Sequence, residues 1–243
     1  LLEIADLRNL AEICKKHNLK LIVDNTFSPL SVSPIMLGAD VVIHSLTKFI
    51  NGSSDTVGGV YCASQEFVDD TKNVNNGACM LLGPTMDSFR SASILKNLRT
   101  LHIRMKKHSE NAMFLAERFE NDGLKVKYPG LKSHKNHELM KSMMHEEYGF
   151  GGLLTVDVGS VEKANELMEL MQTENLGYLA VSLGFYKTLF SCSGSSTSSE
   201  IPEDERKEMG LSDGLIRFSI GLDHDIERTY QKMRECMVKT GVL

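Results

Sequence analysis

The stretch VVIHSLTK at residues 41–48 constrains the fold of this chain more than any other feature. Val41, Val42 and Ile43 make a short β-branched run, which is typical of a strand buried in a parallel sheet. The chain then leaves the strand with two hydroxyl side chains and Lys48. Because ligands collect at the carboxyl ends of such strands, the sequence predicts a site that contains this amine.

The rest of the chain alternates between helix and strand patterns. Apolar residues at helical spacing predict helices over about residues 4–17, 161–173 and 224–238, and one kinked helix or two in series from 84 to 121. Short apolar runs predict strands near 20–25, 41–44, 58–63, 125–128, 152–158, 179–183 and 215–221. This order predicts an α/β protein. Residues 1–100 would be the C-terminal part of a large domain with a mostly parallel sheet, and residues 101–243 a linking helix and a smaller α+β domain.

Composition limits the partners of the chain. A net charge of −5 and a pI near 5.9 argue against nucleic acid or an anionic membrane surface as a partner. No apolar run approaches the 18 or so residues that a membrane span needs. The five cysteines lie far apart without metal-ligand or disulfide spacing, so we expect reduced thiols in a cytoplasmic protein and no metal. The chain begins close to a helix without an initiator methionine, and we expect an N-terminal portion of a longer protein to be missing.

The residues around Lys48 suit one cofactor chemistry. Asp24 ends an earlier apolar strand and would share the same crevice. A lysine amine can bind an aldehyde covalently, and the hydroxyls of Ser45 and Thr47 can hold a phosphate. A carboxylate such as that of Asp24 can keep a pyridine nitrogen protonated. The pattern is compatible with pyridoxal phosphate, although spacing alone leaves open an ordinary solvated lysine and a capping aspartate.

Longer strings carry a resemblance to a known family. The Cys/Met-metabolism family of pyridoxal-phosphate enzymes includes cystathionine gamma-synthase, cystathionine gamma-lyase and methionine gamma-lyase. The chain resembles it, in order and spacing, through VDNTFSPL, GADVVIHSLTKFINGSSDTVGG, LRTLHIRM, YPGL, AVSLG and GLIRFSIGLD. The loop SLGFYKTLFSCSGSSTSSEIP looks most like that of plant-type methionine gamma-lyases. The resemblance implies pyridoxal 5'-phosphate as cofactor and part of a fold-type I transferase large domain, followed by the α+β domain.

The resemblance also implies roles for the matched residues. Lys48 would bind the cofactor covalently and act as catalytic base and acid. Asp24 would lie beside the pyridine nitrogen, Thr26 against the ring, and Ser45 and Thr47 at the phosphate.

Two further positions would bind the substrate amino acid. These are Ser182 and Arg217, and the planar fork of Arg217 suits the α-carboxylate. Without the family, the favoured interpretation of Arg217 is an ordinary salt-bridge partner in a strand.

The implied function is γ-elimination on a sulfur amino acid. L-Methionine would yield methanethiol, α-ketobutyrate and ammonia. The alternatives are cystathionine gamma-synthase or gamma-lyase activity, and a truncated or non-catalytic subunit of the same fold. We expect a homo-oligomer, a dimer of dimers, because active sites in this family are shared between subunits.

Some positions depart from the family pattern. Lys187 stands where a glutamate is common, which reverses a charge near the expected substrate entrance. The serine-rich run at 191–199 replaces a His-Pro-Ala segment and could be a mobile loop, although Thr197 matches a threonine near the cofactor. The histidines in 132–149 lack zinc-ligand spacing and suggest a solvated connection.

Overall fold

A computed structural model describes residues 2–192, 205 and 212–243, and within these ranges the strands form two sheets. The first sheet has the order β1-β2-β3, and the second has the order β4-β5-β8-β7-β6. The strands are β1 Ile22–Asp24, β2 Val41–Ser45, β3 Gly59–Ala63, β4 Lys125–Lys127, β5 Leu153–Asp157, β6 Tyr178–Leu179, β7 Leu189–Cys192 and β8 Leu215–Ser219.

The helices lie before, between and after the strands along the chain. Those within the described residues are α1 Leu7–Lys16, α2 Gln65–Thr71, α3 Ala78–Leu82, α4 Ser88–Leu98, α5 Leu101–Asn121, α6 His137–Met143, α7 Val161–Thr173 and α8 Ile226–Lys239. The predicted helical stretch 84–121 is therefore two helices in series. The predicted domain boundary at residue 100 falls between α4 and α5, and the division itself stays a prediction.

The first sheet carries the two strand ends that the sequence singled out. β1 and β2 are parallel, whereas β2 and β3 are antiparallel, so this sheet is mixed and not mostly parallel. Val41 and Val42 are buried as predicted, but Ile43 is 40% exposed. The parallel pairing brings the carboxyl ends of β1 and β2 together, as the prediction of a site requires.

The second sheet has one apolar face and one face of mixed character, which carries Arg217. Leu154, Phe190, Ile216 and Phe218 lie in the main core, which also takes buried side chains from α5, α7 and α8. Because successive side chains of a strand alternate, Arg217 projects from the opposite face of β8. The strand pattern of β8 thus delivers a charged side chain to the side away from the core.

Two loop expectations differ from the structure at the residues that it describes. Ser191 and Cys192 are buried at the end of β7, where Cys192 Sγ donates to Asp213 O at 3.1 Å. Residues 193–199 of the predicted mobile loop, with Thr197, lie outside the described residues. The predicted connection at 132–149 contains α6, whose Met140 and Met143 pack in a small apolar cluster with Leu7 and Val32.

The predicted strand at 179–183 is shorter and begins earlier, as β6 Tyr178–Leu179. After Leu179 the chain leaves the sheet and approaches the end of β2. In the described part of the chain, no helix combines the length and the apolarity needed to cross a membrane.

Candidate active site

Lys48 lies in a single turn, Leu46–Ile50, that follows β2 directly. The backbone of Lys48 departs from helical geometry (φ −88°, ψ −130°), while Phe49 and Ile50 on its C-terminal side are buried. The apolar anchors hold the turn against the core, so the amine is presented from a fixed backbone. Lys48 Nζ donates a hydrogen bond to Ser182 Oγ at 2.8 Å.

A glycine lets the chain that carries Ser182 approach the lysine turn. Gly184 has φ +75°, and a Cβ built there would lie 2.3 Å from Phe49 N and 2.8 Å from the carbonyl carbon of Lys48. Only glycine tolerates both the left-handed backbone and this distance. The N–H of Gly184 also donates to Ser219 Oγ at 2.9 Å, which ties the segment to β8.

Arg217 is the third residue of a hydrogen-bonded line that begins with Lys48 and Ser182. Its Nη2 donates to Ser182 O at 3.1 Å, so Ser182 contacts Lys48 through its hydroxyl and Arg217 through its carbonyl. Burial, with a smaller contribution from the positive charge of Arg217, holds the pKa of the Lys48 amine below its usual value. A lowered pKa leaves more of the amine neutral and able to attack an aldehyde.

Asp24 belongs to a second group of hydrogen bonds at the ends of β1 and β2. Thr26 N donates to Asp24 Oδ1 at 2.9 Å, and Ser45 N donates to Thr26 Oγ1 at 2.8 Å. These bonds fix the carboxylate at the carboxyl end of its strand and join it to the start of the lysine turn.

A cavity of about 470 Å³ connects the two groups, because Asp24 and Arg217 both line it. Lys48 and Ser182 are not among the lining residues, and Lys48 is linked to the cavity through Ser182, whose carbonyl accepts from Arg217. Most of the remaining lining is apolar, and it includes Val23, Val32, Met140, Met143, Phe150 and Thr155. The cavity therefore offers the carboxylates of Asp24 and Glu3 and the guanidinium of Arg217 beside a largely apolar wall.

Two predicted positions have other partners in the structure. Thr47 Oγ1 accepts from Gly58 N at 3.0 Å and faces the Gly58 carbonyl at 3.4 Å, so this hydroxyl holds the start of β3. Lys187 is exposed, and its Nζ donates to Tyr178 OH at 3.0 Å and lies 5.1 Å from the centre of that ring. Of the predicted residues, the structure brings Lys48, Ser182 and Arg217 together and joins Asp24 to Thr26 and Ser45.

Sequence reasoning missed Arg104 as part of this site. Its guanidinium donates to the carbonyls of Phe49 at 2.5 Å, Ile50 at 2.8 Å and Asn97 at 3.1 Å. These bonds satisfy carbonyls at the end of the lysine turn, where a helix would leave them unpaired. The residue lies within the string LRTLHIRM, but nothing in its spacing indicated this contact.

Within residues 2–192, 205 and 212–243, no group of three His, Cys, Asp or Glu side chains is arranged to hold a metal ion.

Comparison with known proteins agrees with this geometry. The profile of the family described as Cys/Met metabolism PLP-dependent enzyme matches residues 1–230. Methionine gamma-lyase of Arabidopsis thaliana is 41% identical over 239 residues, which are 98% of this chain and 54% of that protein. Cystathionine gamma-lyase of Bacillus subtilis is 39% identical over 227 residues, which are 92% of this chain and 57% of that protein.

Solved structures show the same fold. Cystathionine gamma-synthase from Xanthomonas oryzae pv. oryzae, in complex with aminoacrylate and cysteine, has a TM-score of 0.88 at 33% identity. The alignment covers 100% of this chain and 61% of that one. Cystathionine gamma-lyase from Lactobacillus plantarum, complexed with L-serine, has a TM-score of 0.87 at 26% identity, with 99% and 61% covered.

The chain thus spans between 54% and 61% of the length of these relatives. The likenesses confirm the predicted family resemblance and the predicted fold, part of a fold-type I pyridoxal-phosphate enzyme. The chain belongs to the Cys/Met metabolism family of PLP-dependent enzymes.

Proposed function

We propose that this chain forms part of a pyridoxal-phosphate-dependent lyase that removes methanethiol from L-methionine and, with the uptake of one water molecule, leaves α-ketobutyrate and ammonia. The observation that carries the proposal is the line Lys48–Ser182–Arg217 beside the cavity that Asp24 also lines. The choice of methionine rests on the 41% identity to the Arabidopsis methionine gamma-lyase and on the largely apolar wall of the cavity. An apolar wall suits a methyl thioether better than the charged distal end of cystathionine.

The amine, carboxylate and hydroxyl side chains of the site suit the functional groups of pyridoxal phosphate. Lys48 supplies an amine with a lowered pKa for the aldehyde, and Asp24 supplies a carboxylate for the pyridine nitrogen. Thr26 would lie against the ring, and Ser45 and Thr47 would hold the phosphate. Thr47 would have to share its hydroxyl with Gly58, whereas no hydrogen bond engages the side chain of Ser45 among the described residues.

Each of the site residues Arg217, Ser182 and Lys48 has a defined role in the proposed reaction. When bound, pyridoxal phosphate supplies an aldehyde that takes up the amino group and a ring that accepts electrons from the amino acid. Arg217 grips the α-carboxylate and Ser182 orients the Lys48 amine. Lys48 Nζ removes the proton from Cα and moves protons at Cβ as base and acid, so that the γ-thiol can leave.

Cystathionine is the second candidate substrate. The likeness to cystathionine gamma-lyase of B. subtilis and to the X. oryzae cystathionine gamma-synthase favours transsulfuration, in which cysteine is released from or added at the γ-position. Lys187 is exposed beside Tyr178, where its charge could meet the distal carboxylate of cystathionine. We further propose that the protein is a homo-oligomer, a dimer of dimers. We also propose that it lies in the cytoplasm, which the free thiols of Cys14, Cys62, Cys79 and Cys236 support.

The test is a product assay on the purified protein with pyridoxal phosphate. With L-methionine, methanethiol and α-ketobutyrate should form in equal amounts, and Lys48→Ala should abolish both. Turnover of cystathionine without turnover of methionine would select the second candidate. No turnover of either substrate, with no cofactor bound, would support a non-catalytic subunit.

A further inference from the structure

Three polar side chains form one row across the second sheet. Thr155 on β5 pairs with Arg217 on β8, and Arg217 pairs with Ser191 on β7. Residues directly opposite each other in antiparallel strands project from the same face, with Cβ atoms about 5 Å apart. Thr155 and Ser191 are 2% and 5% exposed. We call Thr155, Arg217 and Ser191 the polar row.

Each member of the polar row keeps an unused hydrogen-bonding atom. Thr155 Oγ1, Ser191 Oγ and Arg217 Nε are buried without a hydrogen-bond partner among the described residues. Buried polar atoms in native proteins are nearly always paired, because an unpaired one loses its hydration without compensation. Three such atoms in adjacent positions of one row therefore indicate that a ligand completes these hydrogen bonds, directly at Thr155 and by orienting the guanidinium of Arg217 toward Ser191.

The charge of the row defines the ligand. Arg217 has no carboxylate partner in the described part of the chain, and burial lowers the pKa of its guanidinium. A half-buried cation such as Arg217, without a carboxylate partner among the described residues, is stabilised by an anion, and hydroxyl groups can donate to the same anion. Thr155 and Arg217 line the cavity together, so the anion can reach both. A carboxylate matches the planar fork of arginine.

The neighbouring residues on this face of the sheet are apolar or already hydrogen-bonded. Leu153 and Leu189 pair with Ser219, the next residue of β8 on the same face. The hydroxyl of Ser219 already accepts from Gly184 N. Among the described residues of this face, the buried side-chain atoms without any hydrogen-bond partner are therefore those of the polar row.

We propose that Thr155 contacts the α-carboxylate of the amino acid together with Arg217, and that Ser191 is a positioning residue that fixes the guanidinium through Nε. The inference rests on the proposed function only in taking the ligand to be an amino acid. It does not depend on which bond of that amino acid is broken. It adds two side chains whose hydroxyls set the affinity for the carboxylate.

The test measures binding to the holoenzyme by calorimetry. L-Norleucine has the length of methionine but no γ-leaving group, and n-pentylamine is the same molecule without its carboxylate. Thr155→Val should weaken L-norleucine binding by about tenfold and Ser191→Ala by about fivefold, while n-pentylamine binding stays within twofold. Thr155→Ser keeps the hydroxyl and should keep the affinity.

Thermal melting without ligand separates this role from a structural one. Thr155→Val should leave Tm unchanged or raise it, because it removes a buried hydroxyl that has no hydrogen-bond partner among the described residues. Thr188→Val is the matched control, since the buried hydroxyl of Thr188 accepts from Gly221 N at 3.0 Å. That variant should lower Tm.

Two results would overturn the inference. One is an equal loss of affinity for L-norleucine and n-pentylamine in Thr155→Val, and the other is no loss for either probe. Failure to cleave methionine, with the carboxylate-dependent loss intact, would remove the proposed function and leave this inference standing.

Discussion

Lys48 and Ser182 lie 134 residues apart in the sequence, and a 2.8 Å hydrogen bond joins the lysine amine to the serine hydroxyl. The bond links the turn after β2 to the segment between β6 and β7. Ser182 also accepts from Arg217 through its carbonyl, so one residue connects the two cationic side chains of the site. The account predicts that this contact orients the amine for catalysis.

Replacing Ser182 by alanine should lower kcat/KM for the amino acid substrate by about tenfold. The variant removes a hydrogen bond to a charged group, which is worth about 1.5–3 kcal/mol. The backbone carbonyl remains, so the contact with Arg217 should persist. Steady-state kinetics check this result, with exposed Ser88→Ala as a control that should match the unchanged protein. Equal kinetics for both variants would remove the proposed role.

Asp24→Asn should lower kcat by about 100-fold or more while the fold is retained. The asparagine oxygen can still accept from Thr26 N, but the negative charge that would keep the pyridine nitrogen protonated is gone. The matched control is Asp157→Asn, because Asp157 also ends a strand and accepts from the backbone N–H two residues later, that of Gly159. A similar kcat in the two variants would contradict the role given to Asp24.

Arg104→Lys should destabilise the protein by about 2 kcal/mol, because lysine cannot reproduce the fork that bonds the carbonyls of Phe49 and Ile50. The same change should loosen the turn that carries Lys48. Urea unfolding measures the first effect, and Arg99→Lys on the exposed surface is the control. If Arg104→Lys unfolds at the same urea concentration as the control, the anchoring role is wrong.

The sequence indicated the candidate reactive residues at the strand ends better than it indicated the residues that hold them in place. Lys48, Asp24 and their neighbours follow apolar strands, and strand ends can be located from local pattern. Ser182 and Arg217 came from matching strings, since no local rule brings residues from distant strands together. Arg104, Thr155 and Ser191 were missed because their roles depend on tertiary contacts that no periodicity encodes.

The fold errors have the same origin. α6 was taken for a polar connection because its buried methionines are interrupted by histidine, glutamate and lysine. β7 was assigned to a serine-rich loop, yet Ser191 and Cys192 are buried by pairing with β8. In both segments, tertiary burial overrode a composition that is typical of exposed chain.

Stability should fall as the pH drops from about 6.5 to 4 because of His108. Burial is the main cause that lowers the pKa of His108 to about 4. The hydrogen bond to Ile220 O raises this pKa, and the positive charge of Arg104 lowers it further, each by less than burial does. The folded pKa is below the unfolded one, so in this window the unfolded chain binds the extra proton. The full effect is roughly 3 kcal/mol.

Urea unfolding at pH 7.5, 6 and 4.5 checks this dependence. His108→Asn keeps a donor for the Ile220 carbonyl and should flatten the acid side of the profile. His102→Gln, on the exposed face of the same helix, should leave it unchanged. An identical slope in the His108 variant and the unchanged protein would contradict the assignment.

The most direct test of the account is the identity of the lysine that binds the cofactor. Borohydride converts the linkage between a lysine and the aldehyde of pyridoxal phosphate into a stable amine, and peptide mass spectrometry then locates it. The account predicts one labelled peptide, containing Lys48, and no label after Lys48→Ala. Label on another lysine, or a protein that stays unlabelled with excess cofactor, would contradict the central claim.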